Sequence, residues 1–168
     1  MKLRIGIVTV SDRSSRDERP DLSGPALVEM VKSKGWDVAE TLIVPDDLDV
    51  LRDTLTLWAD SGDMDIILTT GGTGFSPRDI TPEATRFVVD KLAPGLAEMM
   101  RAESLKITLH AMLSRAIAGI RGRALIINLP GSPKAACENL QVVAPVLGHA
   151  AQLLRDDAAA ETGHIPDP

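Results

Sequence analysis

The sequence predicts an α/β fold: a three-layer sandwich with a mostly parallel central sheet in a single domain. Three observations lead there. β-branched runs such as "RIGIVTV" alternate along the chain with segments whose apolar residues recur at helical spacing, the pattern of strand–helix–strand units joined into a parallel sheet. The length, 168 residues, is one domain's worth and enough to bury a sizeable core. Neither an internal repeat nor a linker long enough to separate two domains is present. Residues 1–155 are therefore assigned to the domain and residues 156–168, "DDAAAETGHIPDP", to a C-terminal tail with little to bury.

The elements follow in order. Arg4–Val10 is the first strand, a β-branched run with a helix-unfriendly glycine. After the polar loop "SDRSSRDERPDLS", Pro25 suits a first helical turn, Leu27, Met30 and Val31 share a face, and Gly35 suits the position just past the end. Residues 36–44 alternate well enough for a second strand. Leu48, Leu51, Leu55 and Trp58 then recur at helical spacing up to "DSG". Residues 65–70 form the third strand, which runs straight into glycines. Thr81 reads as a helix N-cap with Pro82 at the first helical position, and Phe87, Val88 and Lys91 fill that helix. A further helix follows Pro94-Gly95. "AIAGI" and "ALIINL" bracket Arg121-Gly122-Arg123 as a hairpin, and "LPGSP" leads into a long apolar-rich helix reaching about Leu154.

Composition narrows the function. Aromatic residues make up 2%, Tyr is absent, and the formal net charge is -6, so stacking surfaces are scarce and the charge argues against the basic face that nucleic acids require. No nucleic-acid partner is expected. No apolar window is long enough to span a bilayer, and the N-terminus reads as a strand, not a signal peptide. Cys137 is the only cysteine, which excludes intramolecular disulfides and a cysteine-rich metal site. A cytoplasmic protein without a membrane partner is the expectation. His110, His149 and His164 show no metal-ligand spacing, and no Ser-His-Asp set is recognisable.

The stretch "LTTGGTGFSPRDITPEA" carries the chemistry. It fails the P-loop pattern, because no Lys-Ser/Thr pair follows, and it fails the dinucleotide-binding pattern, because no third glycine follows at the right spacing. What remains is physical: backbone N–H groups of Gly71, Gly72 and Gly74, unobstructed by Cβ atoms, can converge on an anion, with Thr70 and Thr73 adding hydroxyls. A strand-exit turn needing positive φ is the plainer alternative. Asp46 in "VPDD" and Asp79 in "RDITPE" follow the carboxyl ends of strands two and three. Each alone suits helix capping; two beside a phosphate cradle suit a divalent cation such as Mg²⁺, held jointly with substrate phosphates during phosphoryl or nucleotidyl transfer. Asp12, after Ser11 in "SDR", is a third candidate. Ligands in parallel sheets gather outside the carboxyl ends of strands, which is where all these loops are expected.

Taken together, "GIVTVSDR", "DLSGPAL", "VPDD", "ILTTGGTGFSPRDITPEAT", "ESLKITLHAMLSRAIAGIRG" and "LIINLPGSPKA" resemble the molybdopterin adenylyltransferase family of molybdenum cofactor biosynthesis. That family includes stand-alone bacterial enzymes and the G domains of gephyrin and its plant counterpart. The resemblance runs from about Ile5 to Leu154 and implies transfer of AMP from ATP to the molybdopterin phosphate, with pyrophosphate released and a divalent cation, Mg²⁺, assisting. It implies that Asp46 and Asp79 are the catalytic, metal-holding aspartates. It also implies that Gly71, Gly72, Thr73 and Gly74 belong to the molybdopterin-binding loop. Ser11, Asp12, Thr70, Ser114, Pro130, Gly131 and Ser132 match other substrate-binding segments. A homotrimer and a molybdenum-insertion partner protein are implied as well. One departure is visible: the family has a glycine in the loop after "SD", whereas "SSRDERPD" has none. Two alternatives stay open, a non-catalytic pterin-binding or scaffold module of the same fold and a phosphosugar or nucleotide hydrolase using the same sheet edge.

Overall fold

The computed structural model describes residues 2–156; the expected tail lies outside the described residues beyond Asp156. Six strands form one sheet in the order β2-β1-β3-β6-β5-β4. They are β1 (Arg4–Val10), β2 (Asp37–Val44), β3 (Ile66–Thr70), β4 (Lys91–Leu92), β5 (Ala118–Arg121) and β6 (Ala124–Leu129). The four strands β2, β1, β3 and β6 are mutually parallel, and β5 runs antiparallel to both its neighbours. The helices are α1 (Asp12–Ser15), α2 (Ser23–Ser33), α3 (Leu48–Ser61), α4 (Thr81–Val88), α5 (Pro94–Leu105) and α6 (Pro133–Leu154), with a 3-10 turn at Leu109–Leu113.

The three layers follow from strand alternation. Ile5, Ile7, Ile66, Leu68, Leu125 and Ile127 point to one face, where α2, α5 and α6 cover them with Leu27, Val31, Met100, Leu140 and Leu147. Their sequence neighbours Val8, Val10, Ile67 and Ile126 point to the other face, against Leu51, Leu55 and Trp58 of α3 and Ala84 and Val88 of α4. Successive strand residues alternate faces, so a run with no polar positions must be covered on both sides. Gly6 makes room for Trp58: a Cβ there would lie 2.9 Å from its ring.

Three local expectations need correction. Thr81 is the first residue of α4 and not its cap; Ile80 occupies the cap position without a side-chain bond. The Thr81 hydroxyl instead donates to Gly71 O at 2.8 Å, because the glycine loop packs over the helix start. Lys91 lies in β4, not in α4, since Val89 turns extended and Asp90 N bonds Ile120 O of the hairpin. The loop after β1 contains the one-turn helix α1, unseen in the sequence because four residues carry no apolar period.

That loop also accounts for the missing glycine. Asp17 has φ +58°, with Asp17 N on Ser14 O at 3.2 Å and Glu18 N on Arg13 O at 2.9 Å. This is a Schellman ending, in which the left-handed position usually holds glycine. Asp is among the few residues that tolerate it. Asp17→Val is expected to cost about 1–2 kcal/mol, the penalty of a β-branched residue in left-handed backbone; a urea midpoint lowered at constant slope checks it.

Candidate active site

The chain passes from β1 to β2 on one side, then returns to β3 on the other side of β1. The strand order therefore reverses between β1 and β3, the place where open α/β sheets bind ligands. A cavity of about 790 Å³ opens there, and Asp12, Asp46, Gly71, Gly72, Asp79 and Gly131 reach it from four different loops.

Close backbone approach shapes the glycine loop. Gly71 has φ +99° and Gly72 φ +65°. A Cβ on Gly71 would lie 2.4 Å from the Val10 carbonyl oxygen, and one on Gly72 2.4 Å from the Thr81 hydroxyl and 3.4 Å from Asp46 Oδ1. Gly131 backs onto Gly71, its own Cβ position being 3.2 Å from Gly71 Cα. Gly71 N donates to Leu129 O at 3.2 Å, and Thr81 N donates to Gly72 O at 3.0 Å. The Gly71 amide is thus engaged by the sheet, and any anion cradle must draw on the amides that follow it.

The carboxylates are tied to one another by backbone. Asp12 N donates to Asp46 Oδ2 at 2.8 Å, and Asp46 N donates to Asp12 Oδ1 at 3.0 Å. Arg78 places Nε and Nη2 on Asp12 Oδ2 at 3.0 and 2.7 Å. Asp79 Oδ2 accepts from Ser76 N at 2.9 Å. Burial pushes the Asp46 carboxyl above its ordinary value, the Asp12 and Asp79 charges add to this, and the Asp12 amide only partly opposes it. Withdrawal from water also raises Asp12, but the bonds from Arg78 and the Asp46 amide, with Arg16 nearby, bring it below its ordinary value. Asp46 is therefore a carboxylate short of positive charge.

That shortage makes the site suited to a hard cation. No group of three or more His, Cys, Asp and Glu side chains able to hold a metal occurs among the described residues. A cation here would take its protein ligands from Asp46 and Asp79 and the rest from phosphate oxygens and water, the usual pattern for Mg²⁺.

A pH effect follows. The folded protein holds the Asp46 proton more tightly than the unfolded chain, so ionising Asp46 lowers stability. The penalty is absent below the ordinary value of 3.8 and complete above the raised folded value. Asp46→Asn is expected to melt higher than the parent at neutral pH, by about 2–4 °C for each kcal/mol relieved. The difference should close as pH falls through that window, and melting curves at several pH values check it.

Other predicted residues are placed variously. Ser11 lines the cavity and caps α1, its Oγ accepting from Ser14 N at 3.2 Å. Thr70 lines it too, but donates its hydroxyl to Pro130 O at 2.7 Å. Ser132 lines the cavity as the N-cap of α6. Thr73 is buried; it, Gly74, Pro130 and Ser114 lie outside the cavity lining, with Ser114 closing the 3-10 turn. Sequence reasoning overlooked Asp21 and Arg78, which line the cavity, and Arg115. Asp21 was legible within "DLSG" as an acceptor ahead of a helix: its Oδ1 takes Ser23 N and Gly24 N, both at 3.0 Å.

Comparison with known proteins identifies the family. The family described as "Probable molybdopterin binding domain" matches residues 6–149. The chain belongs to this family. Within it, the chain is 43% identical over 154 residues to a molybdopterin adenylyltransferase of Helicobacter pylori (strain J99), covering 90% of this chain and 88% of that protein. It is 43% identical to the "Molybdenum cofactor synthesis protein cinnamon" of Drosophila melanogaster over 94% of this chain, yet spans only 26% of that longer protein. Among solved structures, the molybdopterin biosynthesis enzyme MoaB of Thermus thermophilus superposes with a TM-score of 0.86 at 50% identity, covering 92% of this chain and 98% of that one.

Proposed function

We propose that this protein is a molybdopterin adenylyltransferase, an enzyme that transfers AMP from ATP to the phosphate of molybdopterin with release of pyrophosphate. The observation that carries the reading is the meeting of Asp46 and Asp79, from loops after two different strands, on one glycine loop at the sheet's switch point. The chemistry needs no protein nucleophile: an oxygen of the pterin phosphate forms the new bond to the α-phosphorus, and the bond to pyrophosphate breaks. A divalent cation such as Mg²⁺ supplies charge neutralisation when bound. At the cavity the glycine loop offers Gly72 to the pterin phosphate, with Thr73 and Gly74 shaping the loop behind it, and Asp46 and Asp79 keep the cation side of the site negative. Arg78, fixed by Asp12, supplies positive charge at the rim. The relatives' names, molybdopterin adenylyltransferase among them, support the same reading.

Incubation with molybdopterin, ATP and Mg²⁺ tests this; adenylyl-molybdopterin and pyrophosphate are expected in equal amounts. Tight molybdopterin binding without ATP-dependent product would favour a non-catalytic pterin-binding or scaffold module. Free AMP or phosphate from ATP alone would favour a hydrolase.

The homotrimer belongs to this reading, as do a molybdenum-insertion partner protein and a cytoplasmic setting. Support for assembly comes from Met99, Ile107, Leu109 and Met112, which are all more than half exposed along α5 and the 3-10 turn. No helix among the described residues is long and apolar enough to cross a membrane. Ile107→Glu with Leu109→Glu is expected to lower the mass measured by light scattering to that of one chain.

A further inference from the structure

We infer that Arg115 is the positioning residue of this site, a clamp that holds the glycine loop and Asp79 in the shape adenylyl transfer requires. The inference rests on the function proposed above. Arg115 lies in the segment between the 3-10 turn and β5, outside the cavity lining. Its backbone N donates to Thr73 O at 2.9 Å. Its guanidinium donates through Nε to Gly74 O at 2.7 Å and through Nη2 to Asp79 O at 2.8 Å. Nη1 is held by Glu83 in the first turn of α4. One side chain thereby joins both ends of the excursion through residues 75–78 to the helix that follows.

That excursion has one other side-chain tie to the rest of the molecule, from Arg78 to Asp12 in the loop after β1. Phe75, Ser76, Pro77 and Arg78 are all exposed, so core packing does not restrain them. At its root the loop is tied by Thr81, and at its tip by the mutual bonds of Ser76 and Asp79. Those tip bonds move with the loop and cannot fix it in space. Arg115 can, because its planar fork meets two carbonyls and a carboxylate at once. A lysine ammonium keeps the charge but lacks that fixed spread of donors. The clamp touches Asp79 through its carbonyl and leaves the carboxylate free to face the cavity. Arg115 therefore acts through Asp79 and Gly74 and not on substrate.

The test is Arg115→Lys, with Glu83→Gln as a milder second variant. Arg115→Lys is expected to lower kcat about 10- to 100-fold, the scale of a misplacement near 1 Å, and to raise the Mg²⁺ concentration giving half-maximal rate. ATP KM should change far less than kcat. Glu83→Gln should shift both quantities in the same direction by a smaller factor. Added guanidinium ion should restore part of the turnover of Arg115→Ala. Independently of turnover, amide hydrogen exchange in Arg115→Lys should quicken across residues 72–80 and stay unchanged in β1, β3 and β6. Unchanged kcat and Mg²⁺ dependence in Arg115→Lys overturn the proposal. So does a loss that tracks only the unfolded fraction, with exchange quickened everywhere. A parent protein that forms no adenylyl-molybdopterin overturns the proposed function instead, and the exchange pattern then decides the clamp by itself.

Discussion

Asp79→Asn and Asp46→Asn are each expected to reduce adenylyl-molybdopterin formation by at least about 10³-fold, the scale of losing several kcal/mol of charge stabilisation. The fold should persist, because the bonds these side chains make need only an acceptor oxygen. Asp46 Oδ2 takes the Asp12 amide and Asp79 Oδ2 takes the Ser76 amide, and an asparagine amide oxygen accepts both. What disappears is the negative charge. The two variants should therefore melt cooperatively and keep molybdopterin affinity while losing Mg²⁺-dependent turnover. Turnover equal to the parent in both would remove these residues from the chemistry.

Gly71→Ala is expected to have the largest effect on stability of any single methyl group added to this protein, about 3–5 kcal/mol from backbone strain and overpacking together. Its φ of +99° is unsuited to an L side chain, and the new Cβ would lie 2.4 Å from Val10 O. That oxygen belongs to buried Val10 at the end of β1, paired with Val44 of β2, so the backbone there resists displacement. A typical domain has only about 5–15 kcal/mol in all, so much of the protein should be unfolded at modest urea. Gly95→Ala is the control: nothing lies within 4 Å of its Cβ position, and its midpoint should stay level or rise. Gly74→Ala should behave differently again. Its Cβ would meet only Asp79 Oδ2, at 2.9 Å, so the carboxylate turns aside and activity falls with little change in stability.

Much of this site was legible in the sequence because its parts carry local signals. Strand alternation with glycine at the exit marked the loop after β3, and an aspartate following a proline marked the loop after β2. A parallel sheet then brings such exits to one edge without further information. Asp17 and Arg115 were not legible, for different reasons. Asp17 occupies a glycine's place, and the letter D does not announce left-handed backbone. Arg115 reaches Gly74 and Asp79 across 41 and 36 positions of chain, and no short pattern encodes a contact that distant. Thr81 was misplaced by one position and Lys91 by one element, because helix ends depend on what packs over them. The buried bonds from Asn128 Nδ2 to the Thr69 and Thr85 hydroxyls, at 3.0 and 2.8 Å, were hidden similarly, since they join β6, β3 and α4 through the core.

Asp65 sits at the amino edge of the sheet, the end away from the cavity. Its carboxylate accepts from Arg4 N at 2.8 Å and from Arg155 Nε at 3.1 Å. Burial alone would raise this carboxyl, but the two arginines and the Arg4 amide hold it below its ordinary value. The same contact gathers the first strand and the end of the last helix at one pole of the molecule, opposite the cavity mouth. Neither the first strand's start nor the last helix's end borders the cavity. That placement suits a unit whose relatives differ widely in length, this chain covering 88% of the Helicobacter protein and 26% of cinnamon.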